Sequence, residues 1–337
     1  MRCAAPYAGR LVQKRSLMPA KLKLVHPPQF DEDARWAAVS RRDASADGAF
    51  WSCVRSTGVY CRPSCAGRPK RENVFFVETR AEAETAGFRP CKRCRPDRFV
   101  AGSLSERIDH VDWGKVKTLL DGQGWAPLGR LLSDDDCAAL IDGYDDDERY
   151  RSTVMMRRHG FGEGEYRYFA DPAPPLVSML RTGLYEKLAP IANEWLAALK
   201  ENRPAFPATH EAYRRCCAMA GQNRPTPLIL KYGPGDYNRL HQDLYGGEIF
   251  PIQAAVLLSE PERDFSGGEF VMTEQTPRRQ SRAIVAPMEK GFAIAFAVND
   301  RPMTGARGAY RVKMRHGVSE IRDGKRYCLG VIFHDAA

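Results

Sequence analysis

The chain has 337 residues, 43% hydrophobic and 10% aromatic, enough to build a packed core and too apolar for a disordered polymer. No apolar run approaches the roughly 18 residues of a membrane-spanning helix, so no membrane partner is expected. The net charge of +9 is uneven: residues 1–100 hold 20 Lys and Arg against 10 Asp and Glu, and the remainder nearly cancels. A basic first third suits a polyanion such as nucleic acid, though a merely soluble basic surface has the same composition.

Residues 1–30 carry Arg2, Arg10, Lys14, Arg15, Lys21 and Lys23 and no acid. They are weakly transit-like but lack the apolar stretch of a secretory signal. They read as a disordered basic arm, or as sequence ahead of a true start at Met18. Residues 31–42 read as a short helix. "FWSCVRS" and "NVFFVE" read as strands, and "RAEAETAG" as a helix stopped at Gly87. These elements define a compact unit over 31–98. Residues 99–110 read as a linker, although 104–108 has the pattern of a turn of helix.

The second domain spans 111–337. "SDDDCAALIDGY" starts a helix with Ser133 as its cap and acids in the first turn. Leu176, Leu180, Leu184, Leu188, Ile191, Trp195 and Leu199 recur at helical spacing, with Pro190 expected to kink or divide that helix. From Leu228 the pattern changes to short strands separated by Gly- and Pro-rich turns: "LILKY", "IQAAVLLS", "GEFVMTE", "RAIVA", "FAIAFA", "YRVKMRH" and "RYCLGVIFH". Helices followed by many short strands predict an α+β chain ending in a β-barrel or jelly roll buttressed by helices.

Four of the ten cysteines fall together. Cys61 and Cys65 in "CRPSC", and Cys91 and Cys94 in "CKRC", give C-x3-C and C-x2-C separated by 25 residues. Paired thiolates at this spacing suit a tetrahedral zinc site, which at its simplest only holds a small domain together. Cys53 lies outside the pattern and reads as packing. Without a secretory context, reduced thiols and a cytoplasmic home are expected.

The run "TGVYCRPSC", the "ENV" strand and "AGFRPCKRC" closely resemble the N-terminal zinc domain of the Ada family of DNA-alkylation repair proteins. The resemblance covers residues 31–98. It implies that Cys61 accepts a methyl group from a DNA methylphosphotriester. Four thiolates on Zn²⁺ carry a net charge of −2, and methylating one lowers it to −1, which should strengthen attraction to phosphates. Arg62, Arg68, Lys70, Arg71, Lys92 and Arg93, with Arg89 and Arg95, are candidate phosphate contacts. No Ada-like helix-turn-helix pair and no second methyltransferase motif follows, so the resemblance does not extend to transcriptional activation.

"HQDLYGG" places His241 and Asp243 two positions apart, on one face if the segment is a strand. His316, on a later strand, completes a two-histidine, one-carboxylate set that leaves iron positions open for a co-substrate and O₂. Arg326, ten residues further on, suits a bidentate grip on a dicarboxylate. Tyr232 is placed to share that carboxylate. Arg322 is a second candidate, ranked lower because "IRDG" reads as a turn. Arg157, Arg158 and His159 either line a substrate mouth or form a solvated face. Asn238 and Arg239 flank the ligands as candidates for reaching substrate. His334 and Asp335 read as structural.

This order of Tyr, Gly-rich loop, HxD, "SGGEF", His and Arg resembles the Fe(II)/2-oxoglutarate dioxygenases on a double-stranded β-helix. In detail, "RPTPLILKYGPGDYNRLHQDLYGG" and "RHGVSEIRDGKRYCLGVIFHDA" resemble a bacterial group of oxygenases acting on alkylated DNA. The resemblance implies Fe²⁺, 2-oxoglutarate and O₂, oxidative demethylation of alkylated bases, and a DNA substrate that is single-stranded or base-flipped. A bacterial cytoplasmic protein associated with the nucleoid is expected, with the oligomeric state left open and a monomer preferred. "RYCLGVIFH" lacks the second arginine of AlkB-type demethylases, and the strand pattern resembles prolyl hydroxylases as well. Two alternatives therefore stay open: a protein hydroxylase tethered to DNA, and a zinc-dependent DNA-binding sensor or regulator with an inactive oxygenase fold.

Overall fold

The computed structural model describes residues 31–337 apart from Arg98, Val100, Ala101, Tyr245, Ala306 and Arg307. The expected basic arm over 1–30 lies outside the described residues. The chain divides into two compact units between Cys94 and Arg95. Among the described residues no helix is long and apolar enough to cross a membrane.

The first unit opens with the helix Glu32–Arg41, whose N-terminus is capped by the Asp31 carboxylate accepting from the Ala34 N–H. Its small apolar face, with Ala38 and Val39 buried, packs on Ala46 and Phe50. Phe50 meets Phe76 edge-on at 5.4 Å. A four-stranded sheet runs in the order Val74–Val77, Trp51–Val54, Val59–Cys61, Arg89–Pro90. The last pairing is parallel, and it continues as a Cys91 N–H bond to Tyr60 O at 3.0 Å. That pairing draws the second cysteine pair beside the first.

In the second unit the expected linker instead carries the helix Leu104–Asp109. Ser103 and Glu106 form a reciprocal capping box there, and Leu104 and Ile108 are buried. This helix packs on Pro175–Ala198 at Gly183, where an added Cβ would lie 2.9 Å from Ile108 Cδ1. Pro190 does not divide the long helix, which runs unbroken from Pro175 to Ala198.

Two antiparallel sheets face each other. Among the described residues the larger runs Trp125–Arg130, Phe292–Ala297, Ile252–Leu257, Arg326–Val331, Leu228–Tyr232, Glu165–Phe169, Tyr150–Met155. The smaller runs Arg282–Ala286, Phe270–Gln275, Gly308–Val318, Tyr237–His241, Gly162–Glu163, with Asp300–Gly305 also on Gly308–Val318. Alternation along the central strands sorts side chains between the two faces. Ile229, Leu329 and Val331 face the helical layer with Leu184 and Leu188. Leu228, Leu230, Tyr232, Arg326 and Cys328 face the space between the sheets. The result is a jelly roll with helices on one outer face.

The C-terminal segment is stitched under the long helix. Arg181 Nη2 donates to Asp335 Oδ1 at 2.7 Å, and its Nε donates to Ile332 O at 2.8 Å. His210 Nε2 lies 2.9 Å from Phe333 O. His334 and Asp335 are thus structural, as the sequence suggests. Burial, with a smaller push from Arg181, holds His210 down at about 3, and burial holds His334 at about 4, from the ordinary 6.5. Between those values and 6.5 the unfolded chain binds more protons than the folded one, so stability falls with acidification through that window. Replacing His210 with Gln should flatten urea-unfolding stability between pH 6.5 and pH 5 by on the order of 1–2 kcal/mol relative to wild type. Equal slopes in the two proteins would show that His210 is not held neutral.

Candidate metal centres

Cys61 ends the strand Val59–Cys61, Cys65 lies four residues on, and Cys91 and Cys94 follow Arg89–Pro90. Their four sulfurs lie within 4.8 Å of one another, and all but Cys91 are buried. The Cys61–Cys65 loop is clamped from below by Asp47, whose side chain is 3% exposed. Asp47 accepts from Ser64 N at 2.9 Å, from Ser64 Oγ at 2.6 Å and from Arg62 Nη1 at 3.1 Å. Nothing in local spacing ties Asp47 to a loop 17 residues away, so the clamp is not evident from the sequence.

As bare thiols the cluster is frustrated. Hydrogen bonds from Cys61 and Cys94, with a Gly67 N–H at 3.5 Å, pull Cys65 below its ordinary value. Donating to Cys65 and Cys94 pushes Cys61 far above its ordinary value. Cys61 pulls Cys94 down, but Cys65 and burial outweigh it and leave Cys94 above its ordinary value. One thiolate forms readily and the next are opposed, so four thiolates together call for a cation. A tetrahedral, thiolate-preferring dication such as Zn²⁺ fits this donor set. Cys53 sits outside the cluster, buried, its thiol pushed up to about 11 by burial.

A groove of about 500 Å³ runs beside Cys61, with Arg62, Arg68, Lys70 and Arg93 in its lining. Lys92 is exposed but outside that lining. Arg71, a candidate phosphate contact, also makes contacts within the unit. It bonds Glu32 and Val74 O and lies over the Trp36 and Phe76 rings at 5.5 and 5.6 Å. It braces the helix Glu32–Arg41 to the sheet.

The second centre forms where two strands pair. Tyr237–His241 runs antiparallel to Gly308–Val318 with His241 opposite His316 and an irregularity after Asn238. His241 ends its strand, so Asp243 projects from the segment beyond rather than from the same strand face. The Asp243 oxygens lie 3.4 Å from His241 Nε2 and 3.4 Å from His316 Nε2. All three ligand atoms lie within 4.8 Å of one another. His241 Nδ1 is 2.7 Å from Arg239 O, which assigns the proton to Nδ1 and leaves Nε2 to bind. Burial raises the cost of ionising Asp243, yet the two imidazoles outweigh it and hold the carboxylate well below its usual range. For His241 burial works against protonation, but Asp243 wins and raises it; burial and His241 lower His316. Three convergent N and O donors with the remaining directions open to a pocket suit Fe(II).

That pocket, about 160 Å³, is lined by the triad and, at one end, by Tyr232 and Arg326. Arg326 begins its strand directly opposite Tyr232. The guanidinium is 1% exposed, lies 5.7 Å over the Tyr232 ring, and has no carboxylate partner among the described residues. Tyr232 Oη makes no hydrogen bond of ordinary geometry, and burial raises its pKa so that it stays a donor. A buried cation without a carboxylate partner among the described residues, beside a buried hydroxyl that the Asn238 side chain approaches, fits a carboxylate such as that of 2-oxoglutarate. Gly268, at φ +62°, makes room for it: a Cβ there would lie 2.9 Å from Arg326 Cδ. Arg322 is exposed, 3.6 Å from Glu269, and belongs to the strand Ile321–Gly324 rather than to a turn, so it is no anchor. Asn238 lines the pocket, whereas Arg239 turns outward toward Tyr237 Oη at 3.2 Å. Arg157 and Arg158 are exposed, and His159 stacks on Phe161 at 5.3 Å. Phe161 and Gln253 also line the pocket, and neither stands out from the motifs around the ligands.

Residues 164–336 match the family described as an oxygenase catalysing oxidative methylation of damaged DNA, and the chain belongs to that family. Residues 34–97 match the metal-binding domain of Ada. An uncharacterised protein of Mycobacterium tuberculosis is 46% identical over 191 residues, which are 57% of this chain and 79% of that protein. The Escherichia coli bifunctional transcriptional activator and DNA repair enzyme Ada is 49% identical over 81 residues, 24% of this chain and 22% of that one. Among solved structures, a methylated N-Ada/DNA complex shares 40% identity over 33% of this chain and 78% of its own, at a TM-score of 0.22. A Pseudomonas putida prolyl-4-hydroxylase shares 14% over 67% and 100%, at a TM-score of 0.41.

The two centres should fail independently. Asp243→Ala should lose Fe(II) affinity by more than the roughly 10–100-fold typical of removing a ligand's hydrogen-bond partner, while retaining zinc. Cys65→Ala should do the reverse. Metal analysis of the purified variants checks both, and loss of both metals from either variant would contradict separate sites.

Proposed function

We propose that the chain is a two-module DNA-alkylation repair protein. The first unit transfers a methyl group and the second oxidises alkylated bases. The observation that carries this reading is the buried Arg326, without a carboxylate partner among the described residues, in one pocket with His241, Asp243 and His316. Such a charge is costly unless an anion completes it.

In this reading His241, Asp243 and His316 hold Fe(II), and Arg326 with Tyr232 grips the distal carboxylate of 2-oxoglutarate. When bound, iron and 2-oxoglutarate activate O₂ to insert one oxygen atom into a C–H bond, with succinate and CO₂ as co-products. Phe270 and Phe296, whose ring centres lie 6.0 and 4.7 Å from that of His316, keep water from that face. The substrate N-methyl becomes N–CH₂OH, which collapses to formaldehyde and the restored N–H. A paired base must leave the stack to enter the pocket, so single-stranded or flipped DNA is the expected form.

In the first unit the Cys61 sulfur attacks the methyl carbon of a phosphotriester. An S–C bond forms, the C–O bond breaks, and its electron pair stays on the phosphate oxygen. Arg68, Lys70 and Arg93 hold the neighbouring phosphates. Asp47 keeps the Cys61–Cys65 loop in place. The zinc keeps the cluster deprotonated. On this reading the protein acts on DNA in the cytoplasm, as a monomer.

Incubation with N-methylated single-stranded DNA, Fe(II) and 2-oxoglutarate should release formaldehyde and succinate in step. Arg326→Ala should weaken 2-oxoglutarate binding by roughly 2–5 kcal/mol. Succinate formed without DNA demethylation would favour the protein-hydroxylase reading, and no turnover would favour a sensor. With methylphosphotriester DNA, label should appear on Cys61 and be absent from Cys61→Ala. Labelling of a zinc-loaded Cys61→Ala protein would overturn the assignment.

A further inference from the structure

The strands Tyr237–His241 and Gly308–Val318 do not pair in even steps. Asn238 lies opposite Val318 and His241 opposite His316, so three steps along one strand match two along the other. That count is a β-bulge, with Arg239 and Leu240 together facing Gly317. Residues three apart on a regular strand point to opposite faces. Here the extra residue turns both Asn238 and His241 into the oxygenase pocket and leaves Arg239 and Leu240 exposed.

The surroundings are fitted to the bulge. Gly317 lacks the side chain that would block it: a Cβ there would lie 2.6 Å from Asn238 O and 3.1 Å from Arg239 O. The Arg239 N–H donates to Phe161 O at 2.8 Å, and the Arg239 carbonyl lies 2.7 Å from His241 Nδ1. The bulge therefore orients the His241 ring as well as Asn238. A regular pairing that kept His241 in the pocket would send Asn238 outward. The irregularity gains the pocket one side chain, and that side chain is Asn238.

Inside the pocket Asn238 meets the co-substrate end. Its side chain approaches the Tyr232 hydroxyl and there works against burial, favouring the ionised phenol as an amide donor does. Tyr232 lies opposite Arg326 on the adjoining strand, and both line the pocket. A phenol has one proton to give and an oxygen that accepts. An amide N–H on that oxygen uses its accepting side and leaves the proton for a second partner. The partner at that end is the anion facing Arg326.

We propose that Asn238 is a positioning residue of the co-substrate end: turned inward by the bulge, its amide donates to the Tyr232 oxygen and so commits the Tyr232 proton to the carboxylate that Arg326 holds. This rests on the reading of Arg326 and Tyr232 as the 2-oxoglutarate grip. The test is a double-mutant cycle on the full-length, Fe(II)-loaded protein, with 2-oxoglutarate affinity measured under argon by titration calorimetry. Fe(II) affinity is measured alongside and reports a folded centre. Asn238→Ala and Tyr232→Phe should each weaken 2-oxoglutarate binding roughly fivefold, the effect of one hydrogen bond. The double variant should bind no more weakly than Tyr232→Phe alone, because Asn238 acts only through the hydroxyl. Asn238→Leu, closer in volume, should repeat the cycle and serves if the alanine variant does not fold. Fe(II) affinity should hold in all of them. Losses that add in the double variant overturn the proposal, as does a folded Asn238 variant with undiminished 2-oxoglutarate affinity. Loss of Fe(II) affinity in step with 2-oxoglutarate affinity overturns it too, since Asn238 would then only support the bulge. If wild type binds no 2-oxoglutarate, or if Arg326→Ala or Tyr232→Phe binds it as tightly as wild type, the grip itself is misassigned and the role of Asn238 falls with it.

Discussion

The second unit depends on one strand pairing. His241 and His316 sit opposite each other across two antiparallel strands, and the chain then turns so that Asp243 comes between them. The three groups are mutually adjusted. The carboxylate is held ionised by the imidazoles, while burial and His241 keep His316 neutral. A one-residue slip of the pairing would send one histidine to the opposite face and empty the site. The strand Phe270–Gln275 pairs with Gly308–Val318 on its other side, with Met272 opposite His316.

The two metal-binding sets illustrate opposite uses of the same elements. The cysteine cluster surrounds its centre with four sulfurs, so a metal there has no free position, and the proposed methyl transfer falls to a ligand atom. The second set contributes three donors from one side, so reactivity resides in the positions left open to the pocket. A groove with basic side chains lies beside Cys61, which suits a surface polymer. The second site is a pocket with a buried cation in its lining, which suits a small dicarboxylate.

Much of this is legible in the sequence because the relevant signals are local. The spacing of "CRPSC" and "CKRC" points to a metal by itself. The strand "LILKY" ends at Tyr232 and "RYCLGVIF" begins at Arg326, so their antiparallel pairing puts the two side chains together. What stays hidden depends on contacts distant in sequence. Asp47 clamps the Cys61 loop, and Arg71 pairs with Glu32; neither is visible from composition. The helix Leu104–Asp109 shows in the sequence only as a turn of helix within a linker, because six residues are too few to show a period, and it packs at Gly183 of the long helix. Pro190 does not break its helix, since the ten residues that helix buries outweigh one lost hydrogen bond. Gln253 does leave a trace, as a lone amide in an apolar strand, a pattern that the pocket explains.

The central claim is that this chain assembles two chemically distinct metal sites from these seven side chains. Anomalous diffraction at the iron and zinc edges, from crystals grown anaerobically with both metals and 2-oxoglutarate, tests it directly. A zinc peak is expected among Cys61, Cys65, Cys91 and Cys94, and an iron peak bounded by His241, Asp243 and His316, with a carboxylate of the co-substrate against Arg326. An iron peak elsewhere, or 2-oxoglutarate bound away from Arg326, would contradict it.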